Sequence, residues 1–252
     1  MSKLDDLRVK IFADGADLAA IKKLAANPLI KGFTTNPTLA RKAGVTNYET
    51  FGREVLAAVP DRPVSLEVFA DDFGEMAWQA RAIASWGSNV NVKIPVTNTR
   101  GELANNLVRQ LSADGVIVNV TAVFTLDQVR RITDCLAPET PAIISIFAGR
   151  IADAGVDPLP IMTEALKIMS ARPRAELIWA SPREVLNIIQ ADTIGCHIIT
   201  VTSDLLAKLS LVGKDLAAYS LETVEMFRRD ALAADFSIEP QQQRQDTRRA
   251  AG

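Results

Sequence analysis

The chain has 252 residues, of which 48% are hydrophobic and 23% charged, with a formal net charge of -2. That balance gives no reason to expect nucleic acid or an anionic membrane as partner, and no apolar run reaches the roughly 18 residues of a membrane span. A single histidine and two cysteines leave no multi-histidine metal site, and Cys135 and Cys196 lack metal-ligand or C-x-x-C spacing, so both read as reduced structural thiols. His197 stands at the start of an apolar run and reads as structural. Proton transfer then falls mainly to carboxylates, lysine and tyrosine. The polar start, Met1-Ser2-Lys3-Leu4-Asp5-Asp6, has no apolar signal core, so the expected location is the cytosol.

Short apolar, β-branched runs alternate with longer amphipathic segments. The runs cover residues 9–13, 30–34, 64–69, 89–94, 116–121, 142–147, 175–180 and 197–202. Helical patterns follow them in turn, over residues 18–26, 48–58, 72–86, 100–113, 126–136, 158–171, 182–191 and 203–211. Asn36-Pro37 and Ser181-Pro182 each place a capping residue before a proline at a first helical position. Thr125-Leu126-Asp127-Gln128 reads as a capping box. Eight strand–helix units on this length predict an α/β fold, a single (β/α)8 TIM barrel. An open doubly wound sheet is the alternative, but no G-x-G-x-x-G turn follows the first strand. A further helix over 217–234 is placed to close the barrel bottom or to dock on a neighbouring subunit. The barrel with this helix is expected to span residues 1–236, and the polar, glutamine-rich tail 237–252 to be disordered.

The run 89–94 carries one lysine, Lys93. A strand inside a sheet has no ordinary use for one, because burying an unpaired ammonium is costly and depresses its pKa. A lysine pushed toward neutrality is a nucleophile for carbonyl carbon. Barrel enzymes place their chemistry at the C-terminal ends of the strands, and polar residues recur there: Asp14, then Thr34 with Asn36, Glu67, Lys93, Asn119 with Thr121, Ser145 (sharing its face with the apolar Phe147) and then Arg150, and Ser181 with Arg183. Residues two apart on a strand share a face. Each residue has a plain structural alternative. Asp14 can be a turn or helix cap, and Glu67 can pair with Lys93 without chemistry. Asn36 and Ser181 can be N-caps, and Arg150 and Arg183 surface arginines.

Together these residues suit an aldol-type reaction on a phosphorylated sugar. Lys93 forms a Schiff base with a ketone, and the iminium draws electrons from an adjacent C–C bond. Asp14 accepts the proton of the hydroxyl on the released carbon. Glu67 and Thr121 hold water. Asn36, Asn119 and Ser145 offer neutral partners to sugar hydroxyls, and Arg150 and Arg183 suit phosphate. No step needs a metal or an organic cofactor.

At this point the sequence resembles the transaldolase family. Asp14-Gly15-Ala16-Asp17 is similar to its first-strand motif, and Thr34-Thr35-Asn36-Pro37 to its T-T-N-P signature. Val90-Asn91-Val92-Lys93-Ile94 resembles its Schiff-base strand, and Asn119-Val120-Thr121 its N-x-T segment. Ser145-Ile146-Phe147-Ala148-Gly149-Arg150-Ile151 resembles S-P-F-V-G-R-I, with Ile146 in place of the proline. Ala180-Ser181-Pro182-Arg183 resembles A-S-F-R, with Pro182 in place of the phenylalanine. The likeness spans residues 9–234.

The resemblance implies that Lys93 forms the Schiff base, Asp14 is the general acid/base, and Glu67 with Thr121 holds the catalytic water. It further implies that Asn36, Asn119 and Ser145 bind the dihydroxyacetone part and that Arg150, Ser181 and Arg183 bind phosphate; Thr34 and Phe147 are expected among the substrate-binding residues. The implied reaction moves a dihydroxyacetone unit from sedoheptulose 7-phosphate to glyceraldehyde 3-phosphate, within the pentose phosphate pathway. The implied assembly is a homo-oligomer, a dimer, pentamer or decamer. Fructose 6-phosphate aldolases, a small subgroup of similar length, carry glutamine at the position of Glu67 and tyrosine at that of Phe147. Glu67 and Phe147 therefore favour transfer over simple cleavage. A dihydroxyacetone aldolase and a catalytically silent sugar-phosphate-binding barrel remain the other two readings.

Overall fold

A computed structural model describes Leu4 and residues 6–238. Of the tail expected to be disordered, residues 239–252 lie outside the described residues. The first half of the barrel runs β1 (Lys10–Asp14), α1 (Leu18–Ala25), β2 (Ile30–Thr34), α2 (Pro37–Lys42), α3 (Tyr48–Ala58), β3 (Val64–Glu67), α4 (Phe73–Ala84), β4 (Val90–Pro95) and α5 (Asn105–Ala113). The second half runs β5 (Val118–Val123), α6 (Leu126–Cys135), β6 (Ala142–Ile146), α7 (Ala148–Asp153), α8 (Pro158–Met169), β7 (Ala175–Trp179), α9 (Leu186–Thr193), β8 (Ile198–Thr202) and α10 (Ser203–Ala207), with a 3-10 turn over Lys208–Leu211. The strands close in sequence order, β1 through β8, and every pair is parallel, β1 with β8 included. This is the expected (β/α)8 barrel. The unit from Leu211 onward carries the additional C-terminal helix, α11 (Leu216–Ala233).

The strands are rich in Val and Ile because a parallel sheet covered on one face and filled on the other exposes neither. Side chains such as Leu66, Val92, Val118, Ile144 and Leu177 are fully buried. Inside the barrel, Phe12, Ile143, Ile178, Ala180 and Ile198 form one apolar layer against which Phe147 packs. The β1–β2 register shifts between Ile11 and Phe12, next to Gly32. A Cβ on Gly32 would stand 2.6 Å from the Phe12 ring, so glycine there admits the largest side chain of the layer.

Helix starts follow their caps. The Asn36 Oδ1 accepts the Leu39 N–H at 3.0 Å, and the Thr125–Gln128 capping box is complete. Two boundary expectations are corrected. The helix expected from 100 begins at Asn105. The preceding residues instead fold back on Asn98, whose Oδ1 accepts the Arg100 and Glu102 N–H groups, and Thr97 bridges Leu103. Ser181 does not cap a helix. It lies at φ 61°, and α9 starts only at Leu186. His197 is structural, as expected: its Nδ1 accepts the Leu177 N–H at 3.0 Å. No helix among the described residues is long and apolar enough to cross a membrane. No group of three or more His, Cys, Asp or Glu among them could hold a metal ion.

Gly32→Ala is expected to destabilise the barrel by about 1–3 kcal/mol, the usual cost of overpacking. Urea unfolding should show a lower midpoint at an unchanged slope, and the double variant with Phe12→Leu should recover part of the loss.

Candidate active site

β3 and β4 pair so that Glu67 lies beside Lys93. The lysine is 6% exposed. Its Nζ stands 2.9 Å from Glu67 Oε2 and donates to the Thr35 carbonyl oxygen at 2.9 Å. The amine is therefore buried but not unpaired. A buried charge persists when a counter-charge and hydrogen bonds replace its water; here the first comes from the neighbouring strand β3 and the second from the end of β2, one strand further on.

Asp14 and Thr34 are adjacent across β1 and β2. The Thr34 hydroxyl donates to Asp14 Oδ1 at 2.7 Å. Thr34 Oγ1 also contacts Thr200 Oγ1. Thr34 has one hydroxyl hydrogen and gives it to Asp14, so Thr200 is the donor in that contact. Burial raises the Asp14 carboxyl above its ordinary range, against the opposing pull of the Thr34 hydroxyl and of Lys93, with Glu67 adding to the rise. A carboxyl poised in this way suits proton transfer nearer neutrality. Asp14 is not the cap of α1; Asp17 is.

On the opposite side runs a neutral row. Ser145 Oγ donates to Asn119 Oδ1 at 2.7 Å, and Asn119 Nδ2 donates to Ser65 Oγ at 3.1 Å. The row fixes the Asn119 amide and leaves the Ser145 oxygen as an acceptor. Thr121 sits where β5 bulges between Val120 and Val123, with Ala122 at φ 58°. Bulges of this kind re-aim a side chain at a barrel rim.

The mouth is built from α7 and the segment after β7. Gly149 donates its N–H to the Ala180 carbonyl at 3.3 Å. A Cβ there would stand 1.5 Å from the Ser181 carbonyl oxygen, so only glycine lets α7 come this close. The contact brings Arg150 beside Ser181 and Arg183. The Arg150 guanidinium lies over the Phe147 ring, 5.2 Å from its centroid. Arg183 grips Asp153 with two nitrogens, Nε at 2.9 Å and Nη2 on the other oxygen, and this holds the Asp153 carboxyl below its usual range. The guanidinium fork matches carboxylate and phosphate alike.

One cavity of about 290 Å³ is lined by Asp14, Thr34, Asn36, Lys93, Asn119, Thr121, Ser145, Phe147, Arg150, Ser181 and Arg183. Of the twelve residues singled out in the sequence, only Glu67 is absent from its lining, and Glu67 reaches it through Lys93. Thr200, Thr202 and Asp204 also line the cavity and were missed. The period-2 spacing of Thr200 and Thr202 at the end of β8 is the signal already read on the fifth and sixth strands, while Asp204 lies in the first turn of α10. The Thr202 hydroxyl binds Asp204 Oδ1 at 2.5 Å. The Thr35 carbonyl was also missed, because a main-chain acceptor leaves no mark in residue type. The arrangement combines a buried amine, a carboxyl raised toward neutrality, neutral hydroxyl and amide partners, and a cationic mouth.

Comparison with known proteins agrees with this geometry. Residues 11–246 match the Transaldolase/Fructose-6-phosphate aldolase family. A "Probable transaldolase" of Dehalococcoides mccartyi is 36% identical over 202 residues, 80% of this chain and 90% of that protein. One of Streptococcus pyogenes serotype M1 is 36% identical over 204 residues, with the same shares covered. Among solved structures, the chain is similar in fold to KGPDC from Streptococcus mutans, with a TM-score of 0.52, 11% identity, and 77% and 88% of the two chains covered. It is similarly related to 2,3-dimethylmalate lyase, with a TM-score of 0.52, 14% identity, and 99% and 96% covered. At such identities these two inform on the barrel alone. The sequence match covers almost the whole barrel and every strand end that builds the cavity, and the chain belongs to the transaldolase/fructose-6-phosphate aldolase family.

Proposed function

We propose that the protein is a transaldolase that moves a dihydroxyacetone unit between sugar phosphates through a Schiff base on Lys93. The observation that carries this reading is the buried Lys93 amine, paired to Glu67 and sharing one cavity with Asp14 and two arginines. The names of the relatives support the same activity.

In this reading Lys93 passes a proton to the Glu67 carboxylate beside it, the freed amine attacks the ketose carbonyl, and loss of water gives the iminium. Asp14 takes the proton of the hydroxyl on the carbon being released. The C–C bond breaks, its electrons flow to the iminium nitrogen, and an aldose phosphate leaves. The resulting enamine attacks the acceptor aldehyde, and Asp14 returns its proton to the new alkoxide. Water held by Glu67 and Thr121 then hydrolyses the Schiff base. Thr34, Asn36, Asn119 and Ser145 bind the hydroxyls of the three-carbon unit, with Phe147 packed beside it. Asn36 contributes its amide nitrogen, since its oxygen caps α2. Arg150, Ser181 and Arg183 take the phosphate, which competes with Asp153 for the Arg183 fork. The proposed donor and acceptor are sedoheptulose 7-phosphate and glyceraldehyde 3-phosphate.

Turnover of fructose 6-phosphate is expected to depend on an acceptor such as erythrose 4-phosphate. Borohydride in the presence of fructose 6-phosphate should leave an adduct on Lys93 by mass spectrometry, absent in Lys93→Met. Fast cleavage without acceptor would point instead to an aldolase, and no adduct at all to a catalytically silent barrel. A carboxylate and a phenol position water and protonate an enamine differently. Glu67→Gln combined with Phe147→Tyr should therefore raise the ratio of cleavage to transfer, and an unchanged ratio removes these residues from that role. The pH profile tests Asp14. Its base form is required, and its carboxyl is raised by burial, so the acid limb of kcat/KM should lie above about pH 4, the ordinary carboxylate value. The Thr34 hydroxyl lowers the Asp14 pKa, so Thr34→Val should move that limb to still higher pH.

A further inference from the structure

β3 sends its backbone N–H groups alternately to its two neighbours. Val64 and Val68 donate to the Asn89 and Lys93 carbonyls on the β4 side, at 2.8 and 3.1 Å. The N–H groups of Ser65 and Glu67 therefore face β2. On that side the Phe33 N–H donates to the Pro63 carbonyl at 2.9 Å and the Thr35 N–H to the Ser65 carbonyl at 3.1 Å. The next rung of this parallel ladder would join the Glu67 N–H to the Thr35 carbonyl. That rung is replaced. The paired register ends at Thr34 and Ser65, and the Thr35 carbonyl accepts Lys93 Nζ at 2.9 Å. The Glu67 N–H donates to the Tyr48 hydroxyl at 2.9 Å.

We propose that Tyr48 is a positioning residue for the Schiff-base lysine: its hydroxyl stands in for the β2 carbonyl at the Glu67 amide, and so releases the Thr35 carbonyl to hold Lys93. This rests on the Schiff-base reading above. A buried amide N–H must have an acceptor. Without the Tyr48 oxygen, the nearest means of satisfying Glu67 is to close the β2–β3 rung, which turns the Thr35 carbonyl toward the amide and makes the amine share it. Lys93 would then keep Glu67 as its one undivided acceptor. With both acceptors fixed, two of the nitrogen's bonds are directed and its approach to a carbonyl carbon is set.

The rest of Tyr48 is built to keep its oxygen in place. It is the first residue of α3, and its ring meets Phe69 edge-on, with centroids 5.5 Å apart at 86°. The Trp86 ring lies 6.3 Å away. Burial pushes the phenol well above its ordinary pKa, with the Glu67 charge adding to the rise and the Glu67 N–H opposing it. The hydroxyl therefore remains neutral through the physiological range.

Borohydride trapping with fructose 6-phosphate provides the test. No adduct on Lys93 in the wild-type protein would bring down the Schiff-base reading and this proposal together. Where the wild type is trapped, Tyr48→Phe keeps the ring and removes only the oxygen. Its trapping rate and kcat should fall roughly tenfold, the scale of one hydrogen bond to a charged group. KM for the sugar phosphate should stay the same, because the arginines at the mouth are untouched. A trapping rate and kcat equal to wild type would overturn the proposal and leave the Schiff-base reading standing. A second measurement leaves position 48 unaltered. The chain has two tyrosines, Tyr48 and Tyr219, so NMR of isotope-labelled tyrosine gives two hydroxyl-carbon signals, assigned with Tyr219→Phe. Trapping Lys93 should shift the Tyr48 signal and leave that of Tyr219 in place; an unmoved Tyr48 signal would overturn the proposal.

Discussion

A lysine ammonium buried in a parallel barrel must be given substitutes for the water it has lost. Two substitutes are present, the Glu67 carboxylate and the Thr35 carbonyl, each 2.9 Å from Nζ. Leaving either charge of such a pair alone in the interior costs about 3–5 kcal/mol. This requirement shapes the neighbouring backbone. The β3–β4 register has to put Glu67 beside Lys93. The β2–β3 register ends at Thr34 and Ser65, and the next carbonyl on β2's side, that of Thr35, accepts the lysine instead. The Tyr48 hydroxyl, at the start of α3, accepts the Glu67 N–H that the shortened ladder leaves without a β2 partner.

Around this pair the cavity divides by charge. Asp14 sits in a hydroxyl network of Thr34 and Thr200, and its burial raises its pKa. The row Ser65, Asn119 and Ser145 is neutral and internally bonded. The two arginines stand at the mouth, on elements joined by the close approach at Gly149. Under the proposed chemistry the charged end of a sugar phosphate stays at the exposed rim. The carbonyl enters the region where proton positions are held by the protein. Asp153 occupies the Arg183 fork, so that guanidinium is paired within the protein.

Much of this was legible from residue order. Strand ends could be read because a barrel strand alternates inward and outward side chains, so polar residues two apart mark one wall. The same rule, applied to β8, would have found Thr200 and Thr202, but not Asp204, which lies in the first turn of α10. Ser181-Pro182 misled for a definite reason. Serine before proline is a helix-start signal, yet the Ser181 carbonyl packs on Gly149, and that tertiary contact holds Ser181 at φ 61° in place of a cap. The helix expected from 100 was shortened by the Asn98 side chain, which captures the Arg100 and Glu102 N–H groups. Such local captures compete with helix formation and leave little trace in hydrophobic periodicity.

Residue order alone determined the (β/α)8 architecture, because eight repeats of buried run and amphipathic segment have few other ways to cover both faces of a parallel sheet. It also determined that a lysine would be buried at a strand end with carboxylates on nearby strands. Only the tertiary structure decided how that lysine is held. Its partners are set by the β3–β4 register in the case of Glu67 and, in the case of Thr35, by a residue 58 positions away in the chain that binds through a main-chain oxygen, which every residue type has. The Tyr48 contact belongs to the same class: it arises where a helix start meets a strand end in space. Residue type names the chemistry available at each position, while through-space register settles which groups share a hydrogen.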